Sequence, residues 1–315
     1  MKKLIPFVLV LIVAAVAIMF FYGQTNNQAE NTPQPTAETP KPVEETPKPV
    51  EETPKPVEET PTPVAETKLR VGMECAYAPY NWTQPTDANG AVLIAGSGEY
   101  AYGYDVMMAK YVADKLGYIL EIHRMDWDSL PIAVQSGTVD CVIAGQSITD
   151  DRKMTVDFTT PYYYASIVSI VKADSPFAAA TGISGLSGAT GTSQLNTVWY
   201  DVCLPQIKDA TVLPAMESAP AMLVALTSGK CDLVVTDMPT AMAAVAVYPE
   251  LKLLDFTGTS DNFTVSEQEI NIGISLKKGN TDLLNKLNEA LSGLTKDDFE
   301  KMMSDAIKVQ PLSVN

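Results

Sequence analysis

The chain reads as an α/β protein of two similar lobes joined by two crossing strands, and three observations carry that reading. Apolar runs of strand length alternate with amphipathic helical stretches, which implies parallel sheets with crossover helices. The alternation runs once from Lys68 to Ala144 and restarts near Gly188, so the folded part holds two near-equivalent, Rossmann-like halves. Two long apolar connections, Ile167–Lys172 and Ile270–Leu276, are placed to cross between them.

Not all 315 residues are built to fold. After Met1-Lys-Lys, an uncharged and mostly apolar run of 19 residues reaches from Leu4 to Tyr22. At about 1.5 Å per residue that is long enough to cross a bilayer. A cleaved signal peptide has a shorter apolar core, so residues 1–23 read as an uncleaved signal anchor, with Lys2 and Lys3 holding the N-terminus inside the cell. Residues 24–67 hold ten of the 22 prolines, and Thr39-Pro-Lys-Pro-Val-Glu-Glu45 recurs at Thr46 and Thr53. Two prolines per seven residues exclude helix, so this is an extended tether without chemistry of its own.

Within the folded part, Lys68–Met73 is a strand, and Gly103 to Gly117 is an amphipathic helix with a glycine stop. Tyr118–His123 is a strand, Asp128–Ser136 a helix and Val139–Ala144 an apolar strand. Thr149 can cap a helix whose first turn holds Asp150 and Asp151. After the Ile167–Lys172 strand, Gly188-Ala-Thr-Gly-Thr-Ser193 turns into a helix through Tyr200, and Thr211–Pro214 is a short strand. Ala219–Ser228 is a helix and Asp232–Thr236 a strand ending at Asp237. Two polar-faced helices, Thr281–Leu291 and Thr295–Ile307, close the chain. The domains are then 1–23, 24–67, one lobe of 68–166 with 266–315, and a second lobe of 167–265.

Composition narrows the function. Residues 68–315 carry 17 Lys and Arg against 29 Asp and Glu, an acidic balance that argues against nucleic acid. Cys75, Cys141, Cys203 and Cys231 show no metal-site spacing, Cys141 reads as a buried thiol, and a Cys203–Cys231 disulfide is the less favoured reading. His123, the only histidine, reads as a surface residue of a strand, and no metal or other cofactor is expected. Arg152 stands one helical turn after a strand end, where open α/β folds bind ligands, and its planar fork suits a carboxylate. The residues alone leave open a helix-surface arginine paired with Asp150 or Asp151.

In combination and in order, the motifs Gly103-Tyr-Asp-Val106, Trp127-Asp-Ser-Leu-Pro131, Ser136-Gly-Thr-Val-Asp140, Ser147-Ile-Thr-x-x-Arg152, Asp157-Phe-x-x-Pro-Tyr162, Gly191-Thr-Ser193 and Ser228-Gly-Lys-Cys-Asp232 resemble the extracytoplasmic solute-binding proteins of amino-acid ABC transporters, bacterial family 3. The resemblance covers essentially 68–310 and implies the type II periplasmic-binding-protein fold, in which two lobes close on a ligand. Two departures stand out: an insertion, Gln84–Tyr102, where relatives often have a short hairpin, and Ala189, where some carry a ligand-contacting lysine.

The resemblance also implies roles. Arg152 clamps the ligand carboxylate, helped by Thr192 and Ser193 at the head of a helix. Asp237 meets the α-ammonium, with a carbonyl from Gly145 and a hydroxyl from Ser147. Tyr77 and Trp127 sandwich the ligand side chain, and Glu74 meets its polar or basic end. The implied function is capture of a free L-amino acid, polar or basic, for delivery to an ABC permease, by a monomer held at the outer face of the cytoplasmic membrane. The alternatives are a dehydratase built on the same clamp, for which only Glu74, Asp237 and tyrosines offer an acid or base, or a sensory module acting through a separate partner. The charges of Arg152 and Asp237 are expected to face an open, hydrated cleft.

Overall fold

The computed structural model describes residues 67–310. The expected anchor and, save for Thr67, the expected tether lie outside these residues. Among the described residues no helix is long and apolar enough to cross a membrane.

Two five-stranded sheets carry the fold. The first has the order Ile119–Arg124, Lys68–Met73, Cys141–Val142, Ser275–Lys277, Val156–Phe158. The second has the order Thr211–Val212, Thr190–Thr192, Leu233–Asp237, Ile167–Lys172, Leu251–Leu254. In each, the first three strands are parallel and the fourth runs antiparallel to them. That shared order is the duplication the alternating pattern implies. The strand Leu233–Asp237 is buried along its whole length, which is why it reads as an unbroken apolar run rather than an alternating one.

Local signals set most helix ends. The helix Tyr104–Leu116 stops at Gly117, which adopts a left-handed conformation and returns its N–H to the last turn. It starts after Gly103, where a Cβ would stand 2.3 Å from the Tyr80 carbonyl oxygen, so no other residue fits. Thr149 caps Asp150–Lys153 as expected, and Thr295 with Asp298 forms a capping box ahead of Lys296–Val309.

The expected single strand Ile270–Leu276 is broken. Ser266 and Glu269 form a capping box that starts the short helix Glu267–Ile270, and only Asn271–Ile272 and Ser275–Lys277 are extended. Asn271–Ile272 pairs antiparallel with Tyr163–Tyr164, so the two crossings lie side by side just before Ile167. The helix expected from Ser193 is also absent. Thr190–Thr192 is a strand between Thr211–Val212 and Leu233–Asp237, and helical turns begin only at Trp199–Cys203. Ladder bonds on both sides outweigh the helical signal of a glycine-threonine turn. The helix Met238–Val247 and the strand Leu251–Leu254 were not legible, because an Asp-Met-Pro sequence reads equally as a turn.

The insertion contributes two strands, Val92–Leu93 and Tyr100–Tyr102, to a four-stranded antiparallel sheet completed by Asn81–Gln84 and Ala76–Tyr77. It covers the outer edge of the first sheet, where the Ala95 N–H donates to the Ile122 carbonyl at 2.8 Å and Arg124 pairs with Glu99 at 2.8 Å. All four cysteines are buried free thiols. His123 is half-buried and lies 2.8 Å from Glu121.

Candidate functional site

The candidate residues stand at the C-terminal ends of parallel strands. Glu74 follows Lys68–Met73, Gly145 follows Cys141–Val142, and Thr192 and Asp237 end their own strands in the second sheet. Six of them, Glu74, Tyr77, Trp127, Gly145, Ser147 and Arg152, line one cavity, together with Gln194, Thr197, Val198 and Trp199 from the segment that follows the second sheet's strand Thr190–Thr192. The cavity measures about 20 Å³, room for roughly one water. An amino acid can enter only if the walls of the cavity part or side chains move.

Arg152 does not pair with the aspartates of its own helix; Asp150 pairs with Lys153 instead, at 3.2 Å. The Arg152 guanidinium donates to the Ser147 carbonyl and to the Asn196 carbonyl, each at 2.9 Å, and lies 5.4 Å from the centre of the Trp127 ring. Burial lowers its pKa to about 10, still protonated at any physiological pH. A cation whose two acceptors are neutral backbone carbonyls keeps further N–H donors and an unbalanced charge with which to meet a carboxylate.

Glu74 is 8% exposed, and its oxygen accepts from the Gln194 side chain at 3.2 Å. Burial is the largest cause of a pKa pushed up to about 7, and the Gln194 bond only partly offsets it. This carboxyl is therefore poised between its two protonation states near neutral pH.

Gly145 has φ 62, and a Cβ there would stand 2.7 Å from the Tyr77 ring, so both backbone conformation and space require glycine. A buried network fixes that turn. The Gly145 N–H donates to the Tyr162 hydroxyl at 3.1 Å, and Tyr162 and Asn81 each donate to Asp105 at 2.7 Å. Asp105, from the Gly-Tyr-Asp-Val motif, thus serves the site through Tyr162 rather than by facing the cavity; burial raises its pKa to about 6.

Three expected residues do not line the cavity. Thr192 and Ser193 are fully buried, and their hydroxyls donate to the Pro214 and Val235 carbonyls at 2.9 and 2.6 Å. They sit at a strand end and not at a helix head, so no helix dipole converges there. Asp237 is 1% exposed rather than facing an open, hydrated cleft. It accepts the hydroxyls of Tyr77 and Tyr80 at 2.9 and 2.8 Å, and caps Met238–Val247 by accepting the Thr240 N–H at 3.0 Å. Desolvation raises its pKa while these bonds oppose the rise.

The two expected aromatics both line the cavity but have different neighbours. Tyr77 stacks on Tyr80, with centroids 4.6 Å apart, and tilts against Trp199 at 6.1 Å, whereas Trp127 faces Arg152. Gln194, Asn196, Thr197, Val198, Trp199 and Tyr80 were missed. The only available signal was position: Gln194 follows Gly191-Thr-Ser193, and Tyr80 closes Tyr77-Ala-Pro-Tyr80.

The family model for bacterial extracellular solute-binding proteins, family 3, matches residues 69–305. The L-cystine-binding protein TcyJ of Escherichia coli (strain K12) is 27% identical over 237 residues, 75% of this chain and 81% of that protein. A probable histidine-binding protein of Neisseria gonorrhoeae is 28% identical over 222 residues, 70% of this chain and 76% of that one. Among solved structures, an amino acid ABC transporter substrate-binding protein from Streptococcus pneumoniae Canada MDR_19A bound to L-arginine matches with a TM-score of 0.66 at 26% identity, covering 77% of this chain and 95% of that chain.

Proposed function

This chain belongs to the bacterial extracellular solute-binding proteins, family 3, and from that premise we propose that it captures an L-amino acid with a cationic or amide-bearing side chain and delivers it to an ABC permease. The family is one of solute-binding proteins, which sets the dehydratase reading aside. The observation that carries the side-chain class is Glu74, a carboxyl facing the cavity with only the neutral Gln194 beside it. The relative bound to L-arginine agrees with a basic ligand.

In this reading Arg152 holds the ligand carboxylate, supported by the backbone at 192–193, while Asp237, the Gly145 carbonyl and the Ser147 hydroxyl hold the ammonium. Tyr77 and Trp127 flank the side chain, whose far end meets Glu74. Lobes of 68–166 with 266–315, and of 167–265, close as a monomeric clamp. The lobes hang from an uncleaved anchor at 1–23 by the tether 24–67 at the outer face of the cytoplasmic membrane. Deleting 1–67 should release soluble protein with unchanged affinity; a more than tenfold change would show that the tether touches the lobes.

Calorimetry with the twenty amino acids and ornithine tests the reading. Arginine, lysine, ornithine, histidine or glutamine should bind, and glutamate and aspartate should bind weakly because their carboxylate would meet Glu74 unpaired. If no amino acid binds, the function is wrong; tight glutamate binding would remove only the side-chain class.

The Glu74 titration adds a pH signature. Its pKa is raised from 4.5 to about 7 in the fold, so its contribution to the free protein's stability is fully present below about 4.5 and is lost as pH rises through about 7. A cationic ligand needs the ionised form, so arginine affinity should rise by up to about tenfold per pH unit toward pH 7 and level off above it. Glutamine should show no such rise. A flat arginine profile between pH 5 and 8 would separate Glu74 from the ligand.

A further inference from the structure

Among the described residues, Asn196 is the one residue of the second lobe that grips the first lobe with hydrogen bonds from both its backbone and its side chain. Its carbonyl accepts the Arg152 guanidinium at 2.9 Å, and its side-chain amide donates to the Asp128 carboxylate at 2.7 Å. It does so from a left-handed backbone, φ 55, a conformation that asparagine tolerates and that most side chains resist. Neither neighbour shares this geometry. Leu195 donates its N–H to the Met216 carbonyl inside the second lobe, and the hydroxyl of Thr197 donates to the Gln194 carbonyl.

The two bonds differ in kind. The carbonyl bond ends on Arg152, whose other acceptor, Ser147, belongs to the first lobe, so the guanidinium bridges the lobes through two carbonyls. The side-chain bond ends on Asp128, which flanks Trp127 in the short helical turn Trp127–Ser129. Arg152 stacks over that same Trp127 ring. Asn196, Arg152, Asp128 and Trp127 therefore form one closed circuit across the mouth of the cleft, and its only member from the second lobe is Asn196.

We propose that Asn196 is a positioning residue that clasps the lobes shut and aims the Arg152 guanidinium at the ligand. The proposal rests on the two-lobed clamp read above and adds a residue that touches no ligand atom. Because the clasp acts after the lobes have met, it governs how long they stay closed rather than how fast they meet or which side chain fits. Losing Asn196 should raise the dissociation rate, leave the order of preferred amino acids unchanged and widen the interlobe distance of the free protein.

Two substitutions separate its two grips. Asn196→Gly keeps the left-handed backbone, and so the carbonyl bond, but removes the bond to Asp128. Asn196→Ala removes that bond and also strains the left-handed turn, so the carbonyl shifts from Arg152. Asp128→Ala should match Asn196→Gly, and the two together should do no more than either alone.

The experiment uses the full chain with nitroxide labels at Ile132→Cys and Val224→Cys, which are 69% and 61% exposed on the two lobes while the four native thiols are buried. Interlobe distance is measured without added amino acid, and the arginine dissociation rate by stopped flow. The expected result is a longer mean distance in the order Asn196→Ala, then Asn196→Gly, then the native chain. Arginine dissociation should be about threefold to tenfold faster for glycine and more than tenfold faster for alanine. Unchanged distances in both variants overturn the clasp, whether or not arginine binds. If the native chain binds no amino acid, the transport reading fails and the distances alone decide the clasp. Faster dissociation of both variants with an altered amino-acid preference would make Asn196 a ligand contact and also overturn the proposal.

Discussion

Arg152→Ala should weaken arginine binding by roughly 30-fold to several thousand-fold, the range that corresponds to about 2–5 kcal/mol for truncating one partner of a buried charge pair. The loss is large because the ligand carboxylate would enter a closed, poorly hydrated cleft without its counter-charge. Folding stability should move little. The guanidinium sits in a desolvating site, with its pKa lowered to about 10, and its two acceptors are backbone carbonyls that water can serve once the side chain is gone. Calorimetry and thermal melts on the same variant test both halves. Affinity within threefold of the native chain would take Arg152 out of the site, and a large drop in melting temperature with intact affinity would make it a structural arginine.

Asp237→Ala should behave differently, losing affinity over the same range and stability as well. The carboxylate caps Met238–Val247 through the Thr240 N–H, and removing such a cap costs about 0.5–2 kcal/mol. The hydroxyls of Tyr77 and Tyr80 would also lose their buried acceptor, at about 1–3 kcal/mol for each group left unsatisfied. A total loss of about 3 kcal/mol or more at neutral pH is expected. The pH dependence has a definite sign. Burial raises the Asp237 pKa, so its contribution to stability is greatest below the ordinary carboxylate range and declines as pH rises through its folded value. Asp237→Asn, with a single oxygen, can keep the cap or the tyrosine bonds but not both, and should fall between the native chain and alanine. Denaturant unfolding of the three proteins should rank them in that order, and equal stability of alanine and native chains would mean that the three bonds to Asp237 contribute nothing.

The affinity and stability effects of Asp237 are separable through Tyr80. Its hydroxyl donates to the same Asp237 oxygen as Tyr77, and its ring stacks on Tyr77, so the two tyrosines present one hydrogen-bonded face to the second lobe. An α-ammonium approaching Asp237 must join or displace them. No local signal in the sequence marks this competition, because the two tyrosines lie 160 and 157 residues from Asp237 along the chain.

Much of this protein is determined by its sequence. The strands Lys68–Met73 and Ile167–Lys172, the helix Thr281–Leu291, the glycine stop at Gly117 and the cap at Thr149 all lie where the residues put them. Each depends on periodicity or on a hydrogen bond spanning three or four residues, and such signals are complete within the segment that carries them. The positions of Glu74 and Gly145 just beyond strands, and of Arg152 in the helix capped by Thr149, were equally legible, because strand ends and caps are local features. Only the tertiary structure decided the rest. Asp237 is buried by tyrosines 157 and 160 residues away, and Glu74 meets Gln194 across 120 residues. Thr190–Thr192 extends because two distant strands flank it, and Asn196 takes its left-handed turn where it can reach Asp128 and Arg152. Burial and partner identity are set by which surfaces the two lobes bring together, and no short stretch of chain contains that information.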